Sequence, residues 1–190
     1  MATLAFMKEI QRRIALYDDE TAYKELFCHF YKPLQQFAFT FTRSTEMSEE
    51  IVSDVFISIW QRRRQLEEID NLKVYLYIST RNAALKYLLK QQKEVAISID
   101  NLHVELESQY NDPEQLMMTA EMLARAEQAI SDLPPRCKLV FKLIREDGLR
   151  YKEVAEILGI SVKTIDSQLA IALQKIGKAI NVNLRKVIRF

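Results

Sequence analysis

Residues 151–178, YKEVAEILGISVKTIDSQLAIALQKIGK, limit the possible folds more than any other stretch, because they carry two helical patterns around one glycine. In the first pattern Val154, Ala155 and Leu158 recur at helical spacing, with Ile157 beside them. Gly159 follows, a residue that enters the left-handed region without a Cβ clash and so ends a helix. Ile160 is placed to plug the corner, and Ser161 to accept from the first unpaired amides of a second helix. Ile165, Leu169, Ala172 and Ile176 mark the buried face of that helix in steps of three or four. Ala155 is small at the point where two steeply crossed helices approach most closely. The pattern predicts a helix-turn-helix, a unit able to lay its second helix in the DNA major groove. The plainer alternative is a pair of packed helices in an all-α core.

The rest of the chain agrees with an all-α fold. It has three Gly and four Pro in 190 residues and is rich in helix formers. That length suffices for two small domains, each with a modest core. Net charge is +1, which by itself says nothing about nucleic acid, but its distribution does. Residues 136–190 hold twelve Lys or Arg against five Asp or Glu, whereas 95–121 hold six acids and no Lys or Arg. A basic C-terminal block behind an acidic stretch suits a DNA-binding module at the end of a linker. Cys28 and Cys137 are far apart, and with only His29 and His103 they offer no metal-ligand spacing. No metal site or cofactor is expected. There is no phosphate loop, nucleophile elbow or HExxH motif, so the expectation is a protein that is not an enzyme. With no signal peptide and no apolar run of membrane-spanning length, a soluble, cytoplasmic chain without membrane insertion is expected.

In chain order, residues 1–17 form a short amphipathic helix on Phe6, Ile10 and Ile14, with Lys8, Arg12 and Arg13 outward. Thr21 is the expected cap of an aromatic helix that runs to Phe41 and that Pro33 kinks or splits. Residues 48–64, SEEIVSDVFISIWQRRR, are the clearest helix of the first half, with Ser48 as its cap. Ile51, Val52, Val55, Phe56 and Ile59 make its buried side. Glu50, Ser53, Asp54, Ile57 and Trp60 fall along or beside the other, a surface that suits a partner unless Trp60 completes the core. A polar, acidic loop is expected at 65–73. The helix after it, 74–93, puts Asn82, Lys86, Lys90 and Lys93 on one face, with Tyr75 and Tyr77 at its start. A cationic face beside aromatics can hold a phosphate backbone while stacking unpaired bases, although lysine-rich faces are also common solvated surfaces. Residues 95–112 read as an acidic linker. Asp112-Pro113-Glu114 restarts order, and Leu116, Leu123, Ile130 and Leu133 carry a helix to Pro134-Pro135. A helix over 136–146 follows, with Val140, Phe141 and Ile144 inward, and Asp147-Gly148 ends it.

Together these segments resemble a sigma factor of bacterial RNA polymerase, of the small extracytoplasmic-function group. The matching stretches are AYKELFCHFYKPLQQFAF, SEEIVSDVFISIWQRR, VYLYISTRNAALKYL, DPEQLM, and LPPRCKLVFKLIREDGLRYKEVAEILGISVKTIDSQL with the following ALQKI. The resemblance covers about residues 21–178 in the family's order. It implies residues 1–94 as a domain that binds the large catalytic subunit of core RNA polymerase and melts the minus-ten promoter element. It implies 95–112 as linker and 113–190 as the domain that reads the minus-thirty-five element as duplex. Glu50, Ser53, Asp54 and Trp60 match the polymerase-contacting helix, and the 65–73 loop matches the segment that captures a base flipped from the non-template strand. Tyr75, Tyr77, Arg81 and Asn82 match the melting helix, with Lys86 and Lys90 nearest the backbone. On the second helix of the helix-turn-helix, Lys163, Thr164, Ser167, Gln168 and Ile171 face outward. Gln168 there is expected to pair two-fold with adenine, and Ile171 to touch a thymine methyl. Asp166, Gln168 and Ile171 stand where many relatives carry Arg, so this helix is poor in positive charge. Asp166 is repelled by nearby phosphate unless it accepts from a cytosine amine. The family also implies an anti-sigma factor as partner, on no residue of this chain in particular.

Two other readings compete. A helix-turn-helix regulator that never joins polymerase needs a receiver or ligand domain, and the N-terminal half shows no βα alternation. A helical adaptor without a DNA role accounts for Trp60 but not for two separate cationic helices.

Overall fold

The computed structural model describes residues 4–91 and 120–180. All regular elements among the described residues are helical. The chain divides into two compact units, 1–97 and 98–190. The expected linker, 95–112, and the expected helix start at Asp112-Pro113-Glu114 lie outside the described residues.

The first unit contains α1 (Leu4–Tyr17), α2 (Glu20–Thr42), α3 (Thr45–Gln61), a 3₁₀ helix (Arg63–Glu68) and α4 (Leu72–Gln91). Asp18, at φ 51°, turns the chain out of α1. Asp19, rather than Thr21, caps α2 by accepting from the Ala22 amide at 3.0 Å. Pro33 neither splits nor ends α2, which runs through it. Leu26, Phe30, Leu34, Phe37 and Phe41 continue one buried stripe on both sides of the proline. Burial of that stripe against α3 and α4 outweighs a Pro cost of about 3 kcal/mol. Helix α3 starts earlier than expected. Ser44, in extended backbone, accepts from the Met47 amide at 3.2 Å and is the true cap. Ser48 lies inside the helix, where its hydroxyl donates to the Ser44 carbonyl at 2.7 Å. Within the expected 65–73 loop, residues 65–68 belong to the 3₁₀ helix and only 69–71 are non-helical, since α4 begins at Leu72 with the Asn71 side chain accepting from the Val74 amide. Phe6 is exposed, unlike Ile10 and Ile14, which are buried.

The second unit holds α5 (Ala120–Ser131), α6 (Pro135–Arg145), α7 (Tyr151–Leu158) and α8 (Val162–Ala179). Helix α6 is buried from Leu139 to Ile144, including Lys142 at 1% exposure. Its ammonium meets Glu146 at 3.0 Å and Asp147 at 3.9 Å, so the charge is compensated within the turn that leads into α7. The helix-turn-helix forms as its sequence predicts. Gly159 ends α7 in the left-handed conformation at φ 67°, and the Ser161 hydroxyl accepts from the Thr164 amide at 3.0 Å. Ile165, Leu169, Ala172 and Ile176 are buried against α5, α6 and α7.

Candidate nucleic-acid interface

On α3, Glu50, Asp54 and Ile57 are exposed in one stripe, opposite Ile51, Val52, Val55, Phe56 and Ile59 in the core. Ile57 is 53% exposed beside two carboxylates. Ser53 is half-buried on the flank. Trp60 takes an intermediate place: its ring lies 4.8 Å from that of Tyr23, and the Arg63 guanidinium sits 4.7 Å above it. Arg63 also donates to the Trp60 carbonyl at 3.0 Å and pairs with Asp18. Trp60 is thus braced in place with its outer part still accessible. Tyr23 is fixed in turn by donating to the Phe56 carbonyl at 2.9 Å, and burial pushes its phenol above the ordinary range.

Beside this face a cleft of about 260 Å³ opens between the end of α3, the 3₁₀ helix and the start of α4. Ile59, Leu66 and Ile69 give it apolar walls, Tyr75 an aromatic one, and Arg62, Gln65 and Glu68 a polar rim. Pockets for whole drug-sized ligands span about 300–1,000 Å³, so this one suits a single ring. Donors and acceptors on the rim can meet the edge of a heterocycle while Tyr75 and the aliphatic side chains cover its face.

From Tyr75 along α4, Asn82, Lys86 and Lys90 follow at helical spacing on one side, and all three are exposed. Tyr77 does not belong to that set. It is 1% exposed and packs its ring 5.1 Å from Phe37, because residues two apart on a helix point to different sides. A base cannot reach it, and the expectation that Tyr77 acts beside Tyr75 is corrected. Arg81 is half-buried and round the side of the helix from Tyr75.

On α8, Val162, Lys163, Asp166, Ser167 and Ile171 are exposed, and Thr164 and Gln168 are half-buried. Several polar groups already have partners. The Thr164 and Ser161 hydroxyls meet at 2.8 Å, and the Ser167 hydroxyl donates to the Lys163 carbonyl at 2.9 Å. The Gln168 side-chain oxygen accepts from the Cys137 thiol at 3.0 Å. Burial pushes that thiol above its ordinary range, against the nearby Lys175 and Arg136, so it stays protonated and remains a donor. That contact holds the Gln168 oxygen toward α6 by one of its two lone pairs, and the half-buried amide keeps its two amino donors for a further partner. Asp166 lies near Tyr151, whose phenol is raised by burial first and then by the Asp166 charge.

Sequence reasoning missed Val162, the individual cleft residues Arg62 and Glu68, and Cys137. Val162 and Ile171 are apolar at exposed α8 positions, a signal visible in the sequence. Cys137 is thirty-one residues from Gln168, and no periodicity links them.

Among the described residues no group of three His, Cys, Asp or Glu is placed to hold a metal. Likewise, no helix there is long and apolar enough to cross a membrane.

Comparison with known proteins gives concordant results. The sequence-family model "Sigma-70 region 2" matches residues 26–94, and "Sigma-70, region 4" matches residues 123–176. The ECF RNA polymerase sigma factor SigM of Bacillus subtilis (strain 168) is 24% identical over 157 residues, which are 83% of this chain and 94% of SigM. The ECF RNA polymerase sigma-E factor of Escherichia coli (strain K12) is 26% identical over 144 residues, 72% of this chain and 75% of that protein. Among solved structures, the sigma factor RpoE in complex with the anti-sigma factor NepR from Bartonella quintana shares the fold with a TM-score of 0.54. Its identity is 21%, over 85% of this chain and 98% of that one.

Proposed function

The chain belongs to the extracytoplasmic-function group of bacterial RNA polymerase sigma factors, and on that premise we propose how its two units divide the work of initiation. It binds core RNA polymerase and directs promoter-specific, DNA-templated transcription initiation. It works as a binding subunit in the cytoplasm and supplies no catalytic group of its own.

Residues 1–94 bind polymerase and the minus-ten element, 95–112 tether, and 113–190 read the minus-thirty-five element. Glu50 and Asp54, flanked by Ser53, Ile57 and the braced Trp60, meet the polymerase coiled coil. The cleft and Tyr75 take a base flipped from the non-template strand, whose unstacking costs a few kcal/mol that burial and stacking must return. Asn82, Lys86 and Lys90, with Arg81 at the side, follow the melted strand. In the duplex element Lys163 and Thr164 lie toward the backbone, while Ser167, Ile171 and the Gln168 amino group reach base edges. An anti-sigma factor that covers the Glu50, Asp54 and Ile57 face would exclude polymerase, and the RpoE–NepR structure supports such a partner.

The observation that carries this reading is the single-ring cleft walled by Tyr75 of α4, the helix along which exposed Asn82, Lys86 and Lys90 follow. Neither a regulator reading duplex DNA nor an adaptor has use for a pocket beside a strand-binding face. The test adds the purified chain to core polymerase on matched promoters. Initiation should depend on the chain and on the promoter. Asp54→Arg should weaken core binding by about 2 kcal/mol or more with an unchanged melting curve. Equal core affinity in wild type and variant would remove the assignment of this face.

A further inference from the structure

Helix α1 precedes the residues matched to sigma-70 region 2, which begin at 26. Its buried face carries a polar residue among Ile10, Ile14 and Ala15: Gln11, only 2% exposed. The Gln11 amide donates to two backbone carbonyls, those of Leu66 and Ile69, the second at 2.7 Å. Lys8, nearly one helical turn before it, donates its ammonium to the same Ile69 carbonyl at 2.9 Å. The opposite end of the 3₁₀ helix is held from the same region, through the ion pair of Arg63 with Asp18 just past α1.

We propose that α1 is a strap that sets the shape of the cleft, with Gln11 and Lys8 as positioning residues for the captured base. Leu66 and Ile69 are two of the three apolar cleft walls, and both have their carbonyls held by α1. The Leu66 carbonyl also accepts from the Ile69 amide at 3.0 Å, the closing bond of a 3₁₀ helix whose six residues have little stability of their own. Without the strap, the Ile69 carbonyl would turn to water, that local bond would be left to hold the end of the 3₁₀ helix, and the walls would sample other positions. A pocket competent only part of the time binds its base more weakly by that fraction. A glutamine suits the task because one amide carries two donors and no charge.

The proposal rests on the cleft taking a flipped base, so the experiment separates the two claims. Full-length Gln11→Glu and Lys8→Met, and the cleft variants Gln65→Ala and Tyr75→Ala, are each assembled into holoenzyme. Open-complex formation is measured on promoters changed one base at a time in the minus-ten element. Gln11→Glu keeps the shape of the side chain but turns an acceptor toward both carbonyls. It should flatten discrimination about tenfold at the one position that the cleft variants affect, and leave core binding and the minus-thirty-five preference intact. Lys8→Met, at an exposed site, should move the same position less, and decides the matter if Gln11→Glu fails to fold. Amide exchange at 66–70 in the free chain should quicken about tenfold in both strap variants. If the cleft variants flatten one position and the strap variants do not, the strap is disproved. If no variant is position-specific but exchange at 66–70 quickens, the strap stands as a structural clamp and base capture falls. Unchanged exchange in both strap variants overturns the proposal outright.

Discussion

The two helices assigned to DNA are held in different ways. Helix α8 is packed by α5, α6 and α7, and its outward polar groups are fastened within the unit: Ser167 to its own helix, Thr164 to its cap, Gln168 to Cys137. Helix α4 leans on α2 and α3 through Val74, Leu76, Tyr77, Thr80 and Ala84, and the cleft lies beside its first turn. The difference matches the ligands proposed for the two helices. A duplex groove has a regular shape, so groups oriented in advance lose little entropy on binding it. A melted strand has no fixed shape, and its binding site has to impose one, by a pocket for one base and charges for the phosphates.

The largest effects should come from the supports of each helix. Lys142→Ala leaves carboxylates without the buried ammonium and should cost the second unit about 3–5 kcal/mol. Tyr77→Ala empties the core under α4 and should cost the first unit a similar ~3–5 kcal/mol. Trp60 is the only tryptophan and reports the first unit alone, while circular dichroism reports both. Lys142→Ala should therefore melt part of the helix signal before Trp60 emission changes, and Tyr77→Ala should shift Trp60 emission. Coincident transitions in both variants would mean the units do not fold separately, and the comparison would collapse.

Next in size is Tyr75→Ala, with an expected loss of about 1–3 kcal/mol from base stacking. Open-complex formation should slow while closed-complex affinity and stability hold, in contrast to Tyr77→Ala. Equal loss in both steps would count against a role for Tyr75 in melting.

A smaller change, about 1 kcal/mol, is expected from Cys137→Ala, which releases one hydrogen bond. Once freed, the Gln168 amide can turn, so the preference at one upstream position should change. Cys137→Ser keeps a donor and should keep the original preference. Lys163→Ala should lower the salt slope by about one with no change of preference. A promoter library read with each holoenzyme checks all three, and an unaltered preference in Cys137→Ala would show that the thiol does not govern this base.

The smallest effect concerns pH. The Asp19 carboxyl is held below its usual range by the Ala22 amide and then by Arg13. A depressed carboxylate stabilises the folded chain above its unfolded pKa, and that contribution is lost as pH falls through the lower folded value. Asp19→Asn keeps a cap acceptor but does not titrate. Trp60-monitored stability should then fall less steeply below the ordinary carboxylate range than in wild type. An unchanged acid limb would exclude Asp19 as a contributor.

Local patterns alone determined a good deal of this protein. The Gly159 turn, the Ser161 cap and the α8 stripe depend on neighbours within about one helical turn, and spacing reveals such neighbours directly. The same holds for the outward Glu50, Asp54, Asn82, Lys86 and Lys90. Caps were less legible: Ser44 and Ser48 both suit an N-terminus, and the choice turned on which came first in extended backbone. Spacing sets Tyr75 and Tyr77 on different sides of α4, but which of the two enters the core was decided by what α4 packs against. The remaining decisions join residues far apart in the chain. Cys137 meets Gln168 because α6 packs on α8, and Gln11 reaches Leu66 and Ile69 because α1 lies along the 3₁₀ helix. Periodicity says which face of a helix is buried, but not which partner lies beneath it. Where helices cross is settled by packing the whole unit, and that was decided in three dimensions.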